Sequence, residues 1–201
     1  MYRAAMGPKQ ILYFVKYPEP GKVKTRLAKT VGPEAAAKAY QGLAQSNFCV
    51  LKDHEATDVN TVVLFDPPEK ELEIKEWLPG AAAYRLQRGE DLGKRLSCAF
   101  QEAFQEGAQQ VLAIGSDTLG LKPEFITKAF DLLTYYDVVI GPAKDGGYYL
   151  IGFSGLHTSL FRNIPWSTQD VLKTTLGWIG EERLSYVLLH ELEDLDEIKI
   201  Q

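Results

Sequence analysis

The sequence predicts an α/β fold, a three-layer α/β/α sandwich in which helices cover both faces of a mostly parallel, mixed β-sheet. Short apolar runs alternate with stretches of helical periodicity, the pattern of strands joined by helical crossovers. Several of these runs are apolar throughout, as in strands buried on both faces of a sheet. The 201 residues fit a single domain, residues 1–201, with 1–9 as a flexible N-terminal segment.

Seven apolar runs are predicted to be strands. They cover residues 11–17, 61–65, 83–87, 110–115, 137–143, 147–153 and 184–190. The fifth and sixth runs are so close in sequence that they are expected to form a hairpin or an antiparallel edge. The other runs are separated by helical stretches, which favours parallel pairing among them.

Five helices are predicted between these strands. They run from 33 into the early fifties, from the prolines after Asp66 to near Trp77, and over about 91–107, 123–135 and 167–179. Pro33 suits the first position of a helix, because a proline there has no N–H to satisfy. Asp91 is a plausible N-cap and Gly107 a stop signal. Ser167 or Thr168 is expected to cap the last helix.

The composition narrows the class of protein. The net charge of -5 argues against general nucleic-acid binding, which favours a basic face across a whole domain. No signal peptide is recognisable, and no run approaches the roughly 18 apolar residues of a membrane span. We therefore expect a cytoplasmic protein with no membrane span, whose partners are small molecules.

Positive charge is concentrated after the first strand, in FVKYPEPGKVKTRLAKT at residues 14–30. Its cations are Lys16, Lys22, Lys24, Arg26 and Lys29. A loop that leaves a strand and enters a helix presents unpaired N–H groups, and Gly21 lets a ligand approach the backbone. Lysine and arginine next to these groups suit a polyphosphate. The alternative is an ordinary solvated basic loop.

Carboxylates follow other predicted strands. Asp117 lies at the carboxyl end of the strand 110–115, where it can help to bind Mg²⁺ or Mn²⁺, or simply begin a turn. Asp145 lies in a glycine-rich turn; it can bind an acceptor hydroxyl or act as a base, unless the turn is only a hairpin. Asp194 and Asp196 follow the last strand, where one of them can supply a second metal ligand.

The segment QRGEDLGKRL at 87–96 is a further candidate. Arg95 lies one turn into the helix that Asp91 is expected to cap. The segment therefore either contacts the substrate or is a plain capped helix. In sheets of this kind, ligands bind beyond the carboxyl ends of the strands, where all of these loops are expected to meet.

Six motifs in a fixed order carry a family resemblance over roughly residues 10–197. They are FVKYPEPGKVKTRLA, QRGEDLGKRL, GSDTLGL, GPAKDGGYYLIG, IPWSTQDV and EDLDE. The set resembles bacterial transferases of the GT-A nucleotide-diphospho-sugar transferase superfamily. More narrowly, it looks like the glycosyltransferase-like group called radical-SAM/selenodomain-associated transferase 1. Two guanylyltransferases, those for 2-phospho-lactate and for the molybdenum cofactor, are similar at a greater distance.

The resemblance implies a Rossmann-like GT-A fold and a set of site residues. Expected nucleotide-binding residues are Lys16, Gly21, Lys22, Lys24, Arg26, Arg95 and Ser116. Expected acceptor-binding residues are Asp145, Gly146, Gly147, Tyr148 and Trp166. Asp117 and Asp196 are expected to bind a divalent metal, Mg²⁺ or Mn²⁺, and Asp117, Asp145 and Lys24 to take part in catalysis.

Three functions agree with these expectations. The first is a metal-dependent glycosyltransferase that uses an NDP-sugar and a small-molecule acceptor. The second is a nucleotidylyltransferase that joins an NTP to a phosphorylated acceptor and releases pyrophosphate; the many lysines near Gly21 favour it mildly. The third is a non-catalytic nucleotide-binding protein. It is suggested by Leu119, where the resemblance leads us to expect proline, and by residues 197–201, which differ from the helix start that the resemblance implies.

Overall fold

A seven-stranded β-sheet forms the centre of the computed structural model, which describes residues 8–195. The strands of the chain are β1 Lys9–Lys16, β2 Val59–Asp66, β3 Ala83–Leu86, β4 Gln110–Gly115, β5 Thr118–Leu119, β6 Val138–Pro142, β7 Tyr148–Phe153, β8 Tyr186–Leu188 and β9 Glu193–Asp194. The order in the large sheet is β3-β2-β1-β4-β7-β6-β8, while β5 and β9 form a separate two-stranded sheet.

Strand direction decides where the loops meet. In the large sheet, β1 pairs in parallel with β2 and β4, β2 with β3, and β6 with β8. β7 is antiparallel to both of its neighbours, β4 and β6, so these two run in the same direction. The carboxyl ends of β1, β3, β4 and β6 therefore lie along the same edge of the sheet. The predicted hairpin of β6 and β7 is present, and β7 lies inside the sheet rather than at its edge.

Helices cover both faces, as the sequence predicts. They are α1 Thr25–Val31, α2 Pro33–Val50, α3 Glu71–Trp77, α4 Leu92–Gln105, α5 Pro123–Leu132 and α6 Val171–Glu181, with 3₁₀ turns at Pro68–Lys70 and Thr158–Phe161. Residues of α2, α3 and α5 pack in one apolar core, and those of α4 and α6 in the other. The molecule is thus the expected three-layer α/β/α sandwich.

Successive side chains of the strands belong alternately to the two apolar cores. In β1, Ile11 and Tyr13 belong to the core under α2, whereas Leu12 between them belongs to the core under α4. All three are at most 2% exposed. Because successive side chains of a strand point to opposite faces, a run that is apolar throughout is what a strand covered on both sides requires.

Several local predictions are wrong. α1 begins at Thr25, inside the stretch read as a basic loop, so Arg26 lies in a helix. β5 and β9 were not expected, since two residues are too few to show a period. Lys9 opens β1 and is buried, although it falls in the segment expected to be flexible.

The start of α6 also differs from the prediction. Its N-cap is Asp170, rather than Ser167 or Thr168, and Ser167 adopts a positive φ of 66°. The reason is a tertiary contact: the N–H of Leu172 donates to the carbonyl oxygen of Gly146, 2.9 Å away. This bond fixes the first turn of the helix against the loop after β6.

No helix among the described residues is long and apolar enough to cross a membrane.

Gly152 tests how tightly the sheet is covered. A Cβ at Gly152 would overlap Cδ2 of Leu112 and lie 3.2 Å from Cδ1 of Leu133. Gly152→Ala should therefore lower the free energy of unfolding by about 1–3 kcal/mol, measured by urea denaturation. Gly177→Ala is the matched control, because nothing lies within 4 Å of its Cβ and alanine favours the helix. Equal stability of the two variants would contradict this packing.

Candidate functional site

A cavity of about 560 Å³ opens at the edge of the sheet where the carboxyl ends of β1, β3, β4 and β6 lie. Its wall includes residues that follow each of these strands, such as Arg26, Gln87, Asp117 and Asp145. Segments that are far apart in sequence thus meet in one place, as the rule for open α/β sheets requires. Arg26 and Asp117, in particular, line the same cavity.

Four cations of the described residues line this cavity; one is the last residue of β1, and the other three lie in the segment that follows it. They are Lys16, Lys22, Lys24 and Arg26. Gly21, directly before Lys22, has a φ of 79°, a conformation that favours glycine, but it is not part of the cavity wall. Lys22 forms an ion pair with Glu19 at 3.0 Å and stays largely exposed. The segment therefore presents a concentration of positive charge to any ligand in the cavity.

Lys24 and Asp117 form an ion pair across the cavity wall. Lys24 Nζ lies 2.5 Å from Asp117 Oδ2, and the two side chains are 7% and 37% exposed. The residues are 93 positions apart in sequence. Lys24 itself adopts the left-handed conformation, with φ 46° and ψ 48°, as the N-cap of α1. The contact ties the loop after β1 to the loop after β4.

Helix α2 supports both loops from behind. The hydroxyl of Tyr40 accepts from Lys16 N at 3.0 Å and lies 2.8 Å from Ser116 Oγ. Asn47 Nδ2 donates to the carbonyl oxygens of Thr118, at 2.8 Å, and Ser116, at 3.3 Å. Burial raises the pKa of Tyr40 to about 12, so its phenol stays neutral. These bonds fix the backbone on both sides of Asp117.

Tyr40 and Asn47 lie in the helix predicted from 33 into the early fifties, and neither was expected to be a site residue. Both are buried, at 4% and 3% exposure. The signal that could have distinguished Asn47 is its side chain, because a buried amide needs hydrogen-bond partners that an apolar helix face does not supply.

Asp194 is a second carboxylate close to Asp117. It lies opposite Thr118 in the pairing of β5 with β9, and Thr118 Oγ1 donates to Asp194 Oδ1 at 3.3 Å. Burial raises the pKa of Asp194 to about 7, and the negative charges of Asp117 and Asp145 add to this shift. Asp196, predicted as the second metal ligand, lies outside the described residues.

These carboxylates fit a divalent cation. Burial and the neighbouring negative charges make an ionised Asp194 costly, and a cation beside it would offset that cost. Among residues 8–195, no group of three His, Cys, Asp or Glu side chains forms a complete metal site. One or two carboxylates suffice for Mg²⁺ when a bound phosphate and water supply the remaining oxygens.

Asp145 lies on the cavity wall in a loop that is fixed at both ends. Its Oδ1 accepts from Gly147 N at 2.9 Å. Gly146 has a φ of 89°, and a Cβ there would overlap the backbone oxygen of Gln169. The side chain of Asp145 is thus held by its own turn and by the segment before α6. That segment brings Ser167 to the cavity, a residue that was expected only as a helix cap.

The other predicted acceptor residues lie beside the cavity rather than on its wall. Gly146, Gly147, Tyr148 and Trp166 are not among the lining residues. The rings of Tyr148 and Trp166 meet edge to face, with centroids 6.3 Å apart. A Cβ at Gly93 would lie 2.9 Å from Trp166 Nε1, so this tryptophan packs on the first turn of α4.

Arg95 is also behind the wall. Its guanidinium donates to Gln87 Oε1 at 3.0 Å and to the carbonyl oxygen of Gly89 at 3.2 Å. Gln87 lines the cavity, and its Nε2 donates to the carbonyl oxygens of Val15 and Leu64, both at 2.9 Å. Arg95 therefore orients Gln87, whereas Ser116 lies on the wall as expected.

Comparison with known structures identifies the class. The chain is similar to a protein from Desulfovibrio desulfuricans G20 described as a "putative nucleotide-diphospho-sugar transferase", with 37% identity, a TM-score of 0.88, and coverage of 94% of this chain and 82% of that one. The GT-A nucleotide-diphospho-sugar transferase fold and the superfamily expected from the sequence are thus confirmed, and with them the transferase class.

The particular family follows from residues 50–168, which match the family described as "Uncharacterized protein conserved in bacteria (DUF2064)". The chain belongs to this family. No curated protein matches the chain.

Two more distant structures share the fold. One is glucosyl-3-phosphoglycerate synthase from Mycobacterium tuberculosis in complex with Mn²⁺, UDP and glucosyl-3-phosphoglycerate, at 12% identity and a TM-score of 0.58, covering 94% of this chain and 71% of that one. The other is the inositol-1-phosphate CTP transferase from T. maritima, at 13% identity and a TM-score of 0.61, covering 98% and 91%. The fold thus occurs in both a sugar transferase and a nucleotide transferase.

Asn47 should be important for the stability of the loop that carries Asp117. Asn47→Ala leaves the carbonyl oxygens of Ser116 and Thr118 without this donor, and should lower the free energy of unfolding by about 1–3 kcal/mol in urea. Ser46→Ala, at an exposed neighbouring position of α2, is the control and should have little effect. If both variants unfold at the same urea concentration, Asn47 does not support the loop.

Proposed function

We propose that the protein is a metal-dependent glycosyltransferase that uses an NDP-sugar and transfers the sugar to an uncharged, hydroxyl-bearing small molecule. The observation that carries this proposal is the distribution of charge in the cavity. All four lining cations come from the segment 16–26, whereas the lining carboxylates, Asp117 and Asp145, come from the loops after β4 and β6. The cations suit an anionic leaving group, and the carboxylate of Asp145 suits a neutral nucleophile.

The segment after β1 would bind the diphosphate. Lys22 and Arg26 line the cavity and would contact phosphate oxygens, arginine as a two-pronged donor and lysine as a point charge. Their positive charge would stabilise the nucleoside diphosphate as its bond to the sugar breaks and negative charge develops on it.

Asp117, with Asp194 nearby, would hold the divalent cation. The support for this role is that Asp117 lines the cavity and that burial and the negative charges of Asp117 and Asp145 raise the pKa of Asp194. When bound, Mg²⁺ or Mn²⁺ supplies electrophilic stabilisation of the departing diphosphate.

Asp145 would orient the acceptor. Its carboxylate is held by the Gly147 N–H, at the wall of the cavity. There it can accept a hydrogen bond from the acceptor hydroxyl and take its proton as the oxygen attacks the sugar carbon. The proton passes to Asp145, the new bond forms to the acceptor oxygen, and the electron pair of the broken bond leaves with the diphosphate.

Nucleotidylyl transfer is the second candidate. The four cations that the segment 16–26 brings to the cavity favour it. It needs a phosphorylated acceptor. Within the described residues, no cation outside 16–26 lines the cavity, and Asp145 would repel a phosphate. Two lysines are neighbours of the predicted acceptor residues: Lys144 precedes Asp145, and Lys94 follows Gly93, on which Trp166 packs. They form ion pairs with Glu193 and Glu90, respectively. These contacts favour the sugar transferase.

Nucleotide binding is the first test. The chain is heated with a panel of NDP-sugars, NDPs and NTPs, each with and without Mn²⁺ or Mg²⁺. A ligand at 100 times its Kd should stabilise the fold by about 2.7 kcal/mol. That corresponds to a rise in Tm of about 5–11 °C for a domain of this size. Asp117→Asn should remove the part of the rise that depends on metal.

The product then separates the two candidate reactions. Released NDP, with no pyrophosphate, is the expected result for the best donor. Pyrophosphate released from an NTP would contradict glycosyl transfer and support the second candidate. If no nucleotide raises the Tm, with or without metal, both reactions are excluded.

A further inference from the structure

We propose that Lys24 competes with the divalent cation for Asp117, so that the ion binds tightly only together with a nucleotide. This inference rests on the proposed function, because it concerns the same cavity. It adds a property that the function alone does not require: Lys24 would couple the binding of metal to the binding of diphosphate.

The contact that carries the proposal is the one between Lys24 Nζ and Asp117 Oδ2. The two atoms are 2.5 Å apart, so the ammonium group is in direct contact with an oxygen that would otherwise be available to the ion. An ammonium group and a metal ion on the same oxygen would lie only a few ångströms apart, where their positive charges repel each other. If the ion instead took Oδ1 of Asp117, it would lie within a few ångströms of the ammonium charge and be repelled by it.

The burial of Lys24 makes this competition costly for the ion. Only 7% of the lysine side chain is exposed, so water compensates its charge poorly and the carboxylate of Asp117 helps to stabilise it. A cation that displaces Lys24 from Asp117 would leave the ammonium group without that partner. Metal alone is therefore expected to bind weakly.

A diphosphate removes this cost. Lys24 lines the same cavity as Lys22 and Arg26, the residues proposed to contact the phosphates. A lysine side chain has four flexible carbons, so Nζ can turn from Asp117 towards a phosphate oxygen without a change of the backbone. The phosphate then replaces Asp117 as the partner of Lys24, and Asp117 becomes available to the ion. By linkage, nucleotide and metal must each raise the affinity of the other by the same factor.

Mn²⁺ titration tests the proposal, with free Mn²⁺ followed by electron paramagnetic resonance, with and without saturating UDP. In the wild type, UDP should tighten Mn²⁺ binding by about tenfold or more, within the usual range of coupling between sites. Lys24→Met should tighten Mn²⁺ binding without UDP by about tenfold, because the competing charge is gone. The tightening by UDP should shrink to about threefold or less.

Lys22→Met is the matched control. It removes the same charge from the same segment, but Lys22 pairs with Glu19 and not with Asp117. It should weaken UDP binding while it leaves Mn²⁺ binding without UDP within about threefold of the wild type. Lys24→Gln serves as a second variant if Lys24→Met does not fold, and it should behave in the same way.

The outcomes separate the two proposals. If Lys24→Met and Lys24→Gln bind Mn²⁺ no better than the wild type, while the wild type still binds UDP with Mn²⁺, the competition is refuted and the proposed function stands. If Lys22→Met tightens Mn²⁺ binding as much as Lys24→Met, the effect is general electrostatics, and the specific role of Lys24 is refuted. If neither UDP nor any other nucleotide of the panel binds to the wild type, with or without Mn²⁺, both proposals are refuted.

Discussion

The site depends on the shared direction of β1, β3, β4 and β6. Because these strands run the same way, their carboxyl ends lie along one edge of the sheet, and the loops that follow them meet around one cavity. The antiparallel strand β7 is essential to this arrangement. It lies between β4 and β6 and allows β6 to keep the direction of β4. Asp145 thereby reaches the same cavity as Asp117.

The loops at this edge are held by polar contacts, whereas the sheet is held by apolar ones. Tyr40 and Asn47 reach from α2 to the backbone at the ends of β1 and β4, and Arg95 orients Gln87 from α4. Backbone carbonyls in such loops lie outside the hydrogen-bond ladders and need other donors. The loops that carry the charged groups of the cavity are thus held in place by hydrogen bonds from fixed side chains. Such preorganisation is what lets a site stabilise charge on a ligand.

Most of the fold could be predicted from the sequence, because apolar runs and helical periods report burial directly. α1 was not predicted, because it is short and the prolines and Gly21 shortly before it indicate a loop. β5 and β9 are two residues each and lie far apart in sequence, at 118–119 and 193–194. No local sequence pattern predicts their pairing. The start of α6 is set by Gly146, a tertiary contact that helix-cap preferences cannot report.

The candidate site could be predicted only in part. The concentration of lysine and arginine, and carboxylates placed directly after strands, indicate the cavity from residue types and positions alone. The residues that hold these loops in place could not be predicted, because Asn47 and Arg95 look like ordinary helix residues until their hydrogen-bond partners are known. Asp194 was named from the sequence, beside Asp196, as a candidate for the second metal ligand, but its pairing with Thr118 could not be predicted from sequence spacing.

The most direct measurement of the central claim is a crystal structure of the protein soaked with UDP and Mn²⁺, with anomalous scattering used to locate the ion. A manganese peak next to Asp117 and a diphosphate in contact with the segment 22–26 are the expected result. A nucleotide bound away from this cavity, or an ion that does not contact Asp117, would contradict it.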